Sequence, residues 1–203
     1  MVANPNACGI PQGTAISALL SNIYMLDFDK TMHGLVSKIG GSYLRYCDDI
    51  LFIVPSKDAD RISAEAFTQI KQIKLEINIK KTETRVFSRT GPVLVANLPL
   101  QYLGFTFDGK RILIRSSALA RYSQRMKQGV QLAKLTAKSR NKTRAALGLP
   151  SKALFKRKLY DKYSHLGKKN FVSYGFRAAE ILKSQEIRNQ LKPLWHRLVA
   201  EMK

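Results

Sequence analysis

Tyr43-Leu44-Arg45-Tyr46-Cys47-Asp48-Asp49-Ile50-Leu51-Phe52-Ile53-Val54 sets two adjacent carboxylates between two apolar arms. Apolar and aromatic residues crowd both sides of the pair, the pattern of two strands against a covered sheet, which predicts the pair at the tip of a β-hairpin. Two readings fit those residues. An acidic turn is one, because Asp favours turns through local hydrogen bonds. A metal site is the other: neighbouring carboxylates repel, and a hard cation such as Mg2+ offsets that repulsion through oxygen ligands.

The 203 residues suffice for one ordinary domain or two small ones, and the 45% apolar content is that of a globular protein. The charge is not ordinary. Residues 1–110 carry 12 Lys+Arg against 10 Asp+Glu, whereas residues 111–203 carry 23 against 4, so nearly all of the net +21 lies in the C-terminal part. A one-sided basic field of that size calls for a polyanion, and nucleic acid is the commonest. A membrane surface competes for that role, but there is no apolar run of the roughly 18 residues that spans a bilayer, and no signal peptide precedes the first motif. The expected setting is cytoplasmic, with a nucleic-acid partner and no membrane. Cys8 and Cys47 are too few and too far apart for a zinc motif, and His33, His165 and His196 show no ligand spacing.

Taken in order, the chain opens on Cys8-Gly9-Ile10-Pro11-Gln12-Gly13-Thr14-Ala15, a turn-rich segment, after which Ser17 is placed to cap a helix running to about Val36. A glycine-bearing loop that opens a helix brings backbone N–H groups and the Gln12 amide close to a nucleotide or a base pair; an ordinary loop fits equally. Gly40-Gly41 breaks the chain before the acidic hairpin. Residues 59–73 read as an amphipathic helix with Ile62, Ala66, Phe67 and Ile70 on one side, and the alternation of Leu75, Ile77 and Ile79 predicts a half-buried strand. Lys81 follows, either a solvated surface lysine or a cation placed to neutralise a triphosphate. Asp108-Gly109, between residues 101–107 and 110–114, predicts a two-residue hairpin turn. From Ser116 onward strand patterns stop. Ser117 is placed to cap a helix carrying Leu119, Tyr122, Met126, Val130 and Ala133, with Arg121, Arg125, Lys127 and Lys134 around it. A loop near Gly148-Leu149-Pro150 precedes helical segments over about residues 151–164, 171–184 and 186–202.

Four strings in this order resemble the reverse transcriptases, particularly the prokaryotic group that includes group II intron, retron and phage-defence enzymes. Gly9-Ile10-Pro11-Gln12-Gly13, continuing to Ser17 and Leu20-Ser21-Asn22, resembles the palm motif that positions template and incoming nucleotide. Tyr46-Cys47-Asp48-Asp49 resembles the Tyr-x-Asp-Asp metal motif. Asn78 with Lys81-Thr82 is similar to the following motif, whose lysine lies near the triphosphate. Tyr102-Leu103-Gly104-Phe105 resembles the hairpin that grips the primer end.

The resemblance implies an α+β fold. Residues 1–114 would form a partial right-hand polymerase palm, an antiparallel sheet with covering helices, and residues 115–203 an all-α basic thumb. It implies an RNA-directed DNA polymerase in which Asp48 and Asp49 hold Mg2+, and Pro11, Gln12, Gly13 and Lys81 meet nucleotide and template. Tyr102, Leu103 and Gly104 would hold the primer, and Arg121, Arg125, Lys127 and Lys134 the nucleic-acid backbone. The partners implied are an RNA template, a DNA or RNA primer and deoxynucleoside triphosphates. The family supplies a further carboxylate from a strand upstream of Pro-Gln-Gly. No Asp or Glu precedes Gly9, and Asp27 and Asp29 match no catalytic position. The expectation is therefore a chain lacking fingers and the first catalytic Asp, with an unpaired edge and an uncovered apolar face at the acidic hairpin. A polypeptide carrying the missing N-terminal half, or self-association, would complete it. A non-catalytic nucleic-acid-binding relative that keeps the thumb is the alternative.

Overall fold

The spacing of Leu19, Leu20, Ile23, Tyr24 and Phe28 predicts one helix. In the computed structural model, which describes residues 16–203, that stretch forms two, α1 (Ser17–Tyr24) and α2 (Leu26–Lys38). The break falls at Met25, whose backbone N–H is shared between the carbonyls of Ser21 and Asn22 at 3.2 Å each. α1 buries none of its residues, whereas α2 buries Phe28, Met32 and Val36. Pro11, Gln12 and Gly13 lie outside the described residues. The chain divides into two compact units, one ending at Val86 and the other spanning Phe87–Lys203.

In the first unit the fourth-residue spacing of Phe28, Met32 and Val36 on α2 meets the same spacing of Ile62, Ala66 and Ile70 on α3 (Ala59–Gln72), so their ridges interlock. α2 ends on Gly40, whose φ of +70° a side chain would resist, and Gly41 follows where a Cβ would stand 2.6 Å from the carbonyl oxygen of Ile53. That close approach starts the hairpin of β1 (Ser42–Tyr46) and β2 (Asp49–Ile53), antiparallel, with Tyr43 opposite Phe52 and Tyr46 opposite Asp49. Tyr43, Ile50 and Phe52 pack on the helical core. Leu44, Tyr46 and Ile53 point the other way and are 48, 63 and 53% exposed, and among the described residues no third strand joins the hairpin.

The strand expected from the alternation at residues 75, 77 and 79 does not form. Lys74 adopts φ +57° and terminates α3, with the N–H of Leu75 returning to the carbonyl of Ile70 at 3.1 Å and that of Lys74 to Lys71 at 3.0 Å. Ile77 packs on the core, but Ile79 is 74% exposed and enters a 3-10 turn over Ile79–Lys81. Among the described residues no strand pairs with the segment, and it closes on itself: the N–H of Lys81 and of Thr82 both donate to the carbonyl of Asn78.

The second unit opens with the antiparallel pair β3 (Phe87–Thr90) and β4 (Val93–Ala96), followed by a three-stranded antiparallel sheet of β5 (Leu100–Tyr102), β6 (Phe105–Phe107) and β7 (Ile112–Ile114). Its second turn is not the two-residue Asp108-Gly109 loop that the sequence predicts. Phe107 pairs with Ile112, and the N–H of Asp108 donates to the carbonyl of Arg111, which centres the turn on Gly109 and Lys110. Asp108 sets this register: its Oδ1 accepts the backbone N–H of Arg111 at 2.7 Å and of Lys110 at 3.0 Å. Those bonds, with the Arg111 guanidinium, hold the Asp108 carboxyl down at about 2. Because the folded value is depressed, its stabilising contribution is complete above the ordinary carboxyl value of 3.8 and is lost as pH falls through about 2. An NMR titration of the Asp108 side-chain carbonyl carbon is expected to show its midpoint near that lower value; a midpoint at the ordinary value would mean that the turn is not closed by this carboxylate.

Four helices complete the unit: α4 (Ser116–Ala146), α5 (Arg157–Tyr163), α6 (Phe171–Ile181) and α7 (Gln185–Glu201). Ser17 and Ser117, expected as caps, are already helical; Ile16 and Arg115 take the cap positions without a side-chain bond. In α4 the start is set instead by the Arg115 N–H, which donates to the carbonyl of Gly104. The helix expected over 151–164 begins only at Arg157. Asn141 on α4 exchanges two hydrogen bonds with the Lys152 backbone, and Arg144 donates to the carbonyl of Pro150, so residues 150–152 run as a strap rather than a helical turn.

Tyr122, Met126 and Val130 of α4 share a core with Leu159 and Tyr163 of α5, Ile187, Leu191, Leu194 and Leu198 of α7, and Ile114 of β7. The packing boundary at Val86 thus precedes the charge boundary at residue 115, because β7 lies on the helices. Gln190 ties the two together by acting as an extra strand residue: its Oε1 accepts the N–H of Ile114 at 2.8 Å and its Nε2 donates to the carbonyl of the same residue at 3.0 Å. Gln190→Ala would strand both groups of a residue only 3% exposed, at an expected cost of about 1–3 kcal/mol. Chemical denaturation should show a lower midpoint at unchanged slope.

Candidate active site

The pairing of Tyr46 with Asp49 leaves Cys47-Asp48 as a two-residue turn. Cys47 has φ +55°, and Asp48 is not among the positive-φ residues, so only the first central position is left-handed, as in a type II′ turn. Glycine is the usual residue there; a side chain in that conformation is strained and needs surrounding contacts to hold it. Asp48 and Asp49 are both exposed. Among the described residues neither carboxylate has an ion-pair or hydrogen-bond partner, in contrast to Asp29, Asp58, Glu83 and Asp108, each paired with an arginine. No group of three His, Cys, Asp or Glu side chains gathers anywhere among the described residues. The pair therefore offers hard oxygen ligands, free of competing cations, but too few to enclose an ion by themselves.

Immediately behind the turn lies a polar cluster. Arg45 points inward from β1 with its side chain only 8% exposed. Its Nε and Nη2 grip Asp29 of α2 at 2.7 and 2.6 Å, one to each carboxylate oxygen, while Nη1 donates to the carbonyl of Cys47 at 2.8 Å and to Asn22 Oδ1 of α1 at 3.2 Å. The Tyr43 hydroxyl donates to Asp29 Oδ1 at 2.5 Å. Burial by itself would raise the Asp29 carboxyl; the bonds from Arg45 and Tyr43 outweigh it and hold it below its ordinary value. Burial and the neighbouring Asp29 carboxylate push the Tyr43 hydroxyl up.

In the second unit β5 and β6 are joined by Leu103-Gly104, with Tyr102 opposite Phe105. Both turn residues have positive φ, +49° and +89°, the type I′ pattern, and Leu103 takes this conformation with its side chain 42% exposed. α4 presents Arg121, Arg125, Lys127 and Lys134 to solvent. Helical spacing puts Lys127, Lys134, Lys138 and Lys142 in one stripe and Arg121 with Arg125 in another, flanking the buried stripe of Tyr122, Met126 and Val130. From Arg115 to Tyr160 there is no acidic residue to neutralise them.

Sequence comparison closes the identification: the model of the family described as reverse transcriptase (RNA-dependent DNA polymerase) matches residues 3–107, just over half of the chain. The chain belongs to the reverse transcriptase family. No curated protein matches it. By family it is an RNA-directed DNA polymerase, whose substrates are a nucleic-acid template and primer and nucleotides. No helix of the described residues is long and apolar enough to cross a membrane. The mixed α+β architecture with small antiparallel sheets is compatible with part of a reverse transcriptase palm.

Within this reverse transcriptase chain the sequence-predicted residues fall in distinct places. Asp48 and Asp49 stand together at the hairpin tip. Lys81 sits exposed on its 3-10 turn in the same unit, with no hydrogen bond or ion pair to either carboxylate. Tyr102, Leu103 and Gly104 form the β5–β6 turn of the second unit, and α4 lies beyond the end of the family match. Sequence reading gave Asp29, Tyr43 and Arg45 no functional role, and placed Asn22 only within the palm-motif string. One signal was available: in the alternation of β1, Arg45 occupies an inward position two residues from Tyr43, and a charge placed inward demands a partner.

Proposed function

We propose that this chain is a prokaryotic-type RNA-directed DNA polymerase that adds deoxynucleotides to a primer 3′-hydroxyl at the Asp48-Asp49 tip. The observation that carries the reading is the unpartnered carboxylate pair on a strained turn, inside a reverse transcriptase match. Asp48 is the metal ligand and Asp49 its acidic neighbour. Mg2+, when bound, neutralises the triphosphate and makes the 3′-hydroxyl more acidic. The chain's own groups position the reactants. Pro11, Gln12 and Gly13 meet template and incoming nucleotide, and the Lys81 ammonium neutralises phosphate charge. Tyr102, Leu103 and Gly104 seat the primer end. Helices α4 to α7 act as the thumb, with Arg121, Arg125, Lys127 and Lys134 on backbone phosphates. In the reaction the 3′-oxygen bonds to the α-phosphorus, the bond to the bridging oxygen breaks, pyrophosphate leaves and the hydroxyl proton passes to solvent.

A further carboxylate is needed to complete the ligand set, and we infer that it comes from another polypeptide segment or a second copy. The exposed apolar residues of α1, with Leu44, Tyr46 and Ile53 on the outer hairpin face, are the surface that such a segment would cover. The test is primer extension on an RNA template with Mg2+, using the chain alone and then with a co-expressed polypeptide carrying the upstream palm strand. Extension in either arm supports the polymerase. Salt-sensitive RNA binding without extension in both arms would replace it with the non-catalytic binding protein that keeps the basic helices.

A further inference from the structure

We propose that Asp29 and Arg45, backed by Tyr43 and Asn22, form a positioning clamp that holds the Cys47-Asp48 turn in its left-handed form. Its use in catalysis rests on the polymerase reading of Asp48; the clamp itself does not. The geometry is convergent. Arg45 commits Nε and Nη2 to the two oxygens of Asp29, and a planar guanidinium fixed at two points has no freedom left in its third nitrogen. That nitrogen, Nη1, then stands 2.8 Å from the carbonyl oxygen of Cys47. The Cys47 carbonyl belongs to the peptide plane that it shares with the nitrogen of Asp48, so fixing the oxygen fixes where the Asp48 backbone departs from the turn.

The turn needs such a hold. Cys47 is a non-glycine residue at φ +55°, exposed, and belongs to neither apolar core of the described residues. Asn22 takes the remaining reach of Nη1, and the Tyr43 hydroxyl shares Asp29 Oδ1 with Arg45 Nε, which stops the carboxylate from rotating away. The hydrogen bonds thus run from α1 and α2 through β1 to one carbonyl at the tip. Residues in this cluster are positioning residues: none of them is itself the acidic pair.

The arrangement predicts which substitutions break it. Asp29→Asn keeps size but sets an amide NH2 against a guanidinium N–H. Arg45→Lys keeps the charge and loses the fork, so a lysine holding Asp29 leaves the Cys47 carbonyl unbonded. Tyr43→Phe removes only the brace on Asp29.

Cys47-Asp48 is the only Cys-Asp dipeptide in the chain. Labelling the full chain with carbonyl-13C cysteine and 15N aspartate therefore gives one HNCO peak that reports this peptide plane alone. Asp29→Asn and Arg45→Lys are expected to displace or split that peak while far-UV circular dichroism stays unchanged, and Tyr43→Phe to displace it less, in the same direction. With the co-expressed polypeptide carrying the upstream palm strand present to complete the ligand set, Mn2+ binding, followed by electron paramagnetic resonance, should weaken about tenfold in the first two variants, the lower end for losing a group that orients a metal ligand. An unmoved peak in folded Arg45→Lys overturns the clamp. Should both charge variants unfold, an unmoved peak in Tyr43→Phe overturns it. Asp48→Asn tests the reading beneath: Mn2+ affinity unchanged there removes the metal role, while a displaced peak in Asp29→Asn still establishes the clamp on the turn.

Discussion

Asp48→Ala is expected to lower Mg2+-dependent primer extension at least about 10²–10³-fold, the scale for removing one group that stabilises transition-state charge. RNA binding should stay within about twofold, since the only electrostatic change is loss of one exposed anion near a polyanion. The contrast is what gives the experiment its force. The Asp48 carboxylate has no partner among the described residues, so truncating it breaks no ion pair and empties no core; a folding defect is not the expected route to lost activity. Asp49 is less clean, because it begins β2 opposite Tyr46 and takes part in closing the hairpin. Equal loss of binding and extension in Asp48→Ala would mean that the pair is an acidic turn serving structure. Unchanged extension would remove Asp48 from the chemistry altogether.

The acidic hairpin, α3, the loop at Gly148-Leu149-Pro150 and the helix-rich basic end are legible in the sequence for a common reason. Each has a local signal that tertiary contacts reinforce: strand alternation around Asp48-Asp49, fourth-residue apolar spacing in Ile62, Ala66 and Ile70, and a left-handed glycine at Gly148 followed by a proline. Where local signals were ambiguous, hydrogen-bond accounting decided. Residues 75–79 alternate like a strand, yet the αL conformation of Lys74 turns the chain and the N–H groups of Lys81 and Thr82 return to Asn78, closing the segment into a turn. Asp108-Gly109 carries a hairpin sequence, but the carboxylate of Asp108 accepts the N–H groups of Lys110 and Arg111 and shifts the turn by one residue. Leu103-Gly104 makes the tighter turn although leucine has no preference for positive φ, and no composition rule would have chosen it.

At the candidate site the gap is of another kind. The carboxylate pair was readable because its residues are adjacent. The Asp29, Arg45, Tyr43 and Asn22 cluster was not, because it assembles three elements whose order in sequence hides their proximity. A single inward arginine in an apolar strand says that a partner exists; only the packing of α2 against β1 says which one.

Replacing Lys127, Lys134, Lys138 and Lys142 together by glutamine is expected to weaken RNA–DNA duplex binding about 10³-fold at 0.15 M salt, if all four meet phosphates. The figure follows from counterion release: each phosphate contact adds about 0.9 to the slope of log affinity against log salt, so four contacts lower that slope by about 3.6. Glutamine preserves helix propensity, and all four lysines are exposed on α4 while the core contacts lie on Tyr122, Met126 and Val130. Thermal unfolding should accordingly be unchanged. Filter binding across a salt series separates the outcomes. A slope reduced by about four contacts places this stripe on the backbone. A uniform loss with unchanged slope would mean that the lysines act through structure, and no change in either would hand the duplex to the Arg121 and Arg125 stripe on the other side of the same helix. Each stripe has one exposed leucine beside it, Leu132 by the arginines and Leu135 by Lys138 and Lys142, but the lysine stripe carries four cations against two, so a backbone-tracking role falls to the lysines through charge.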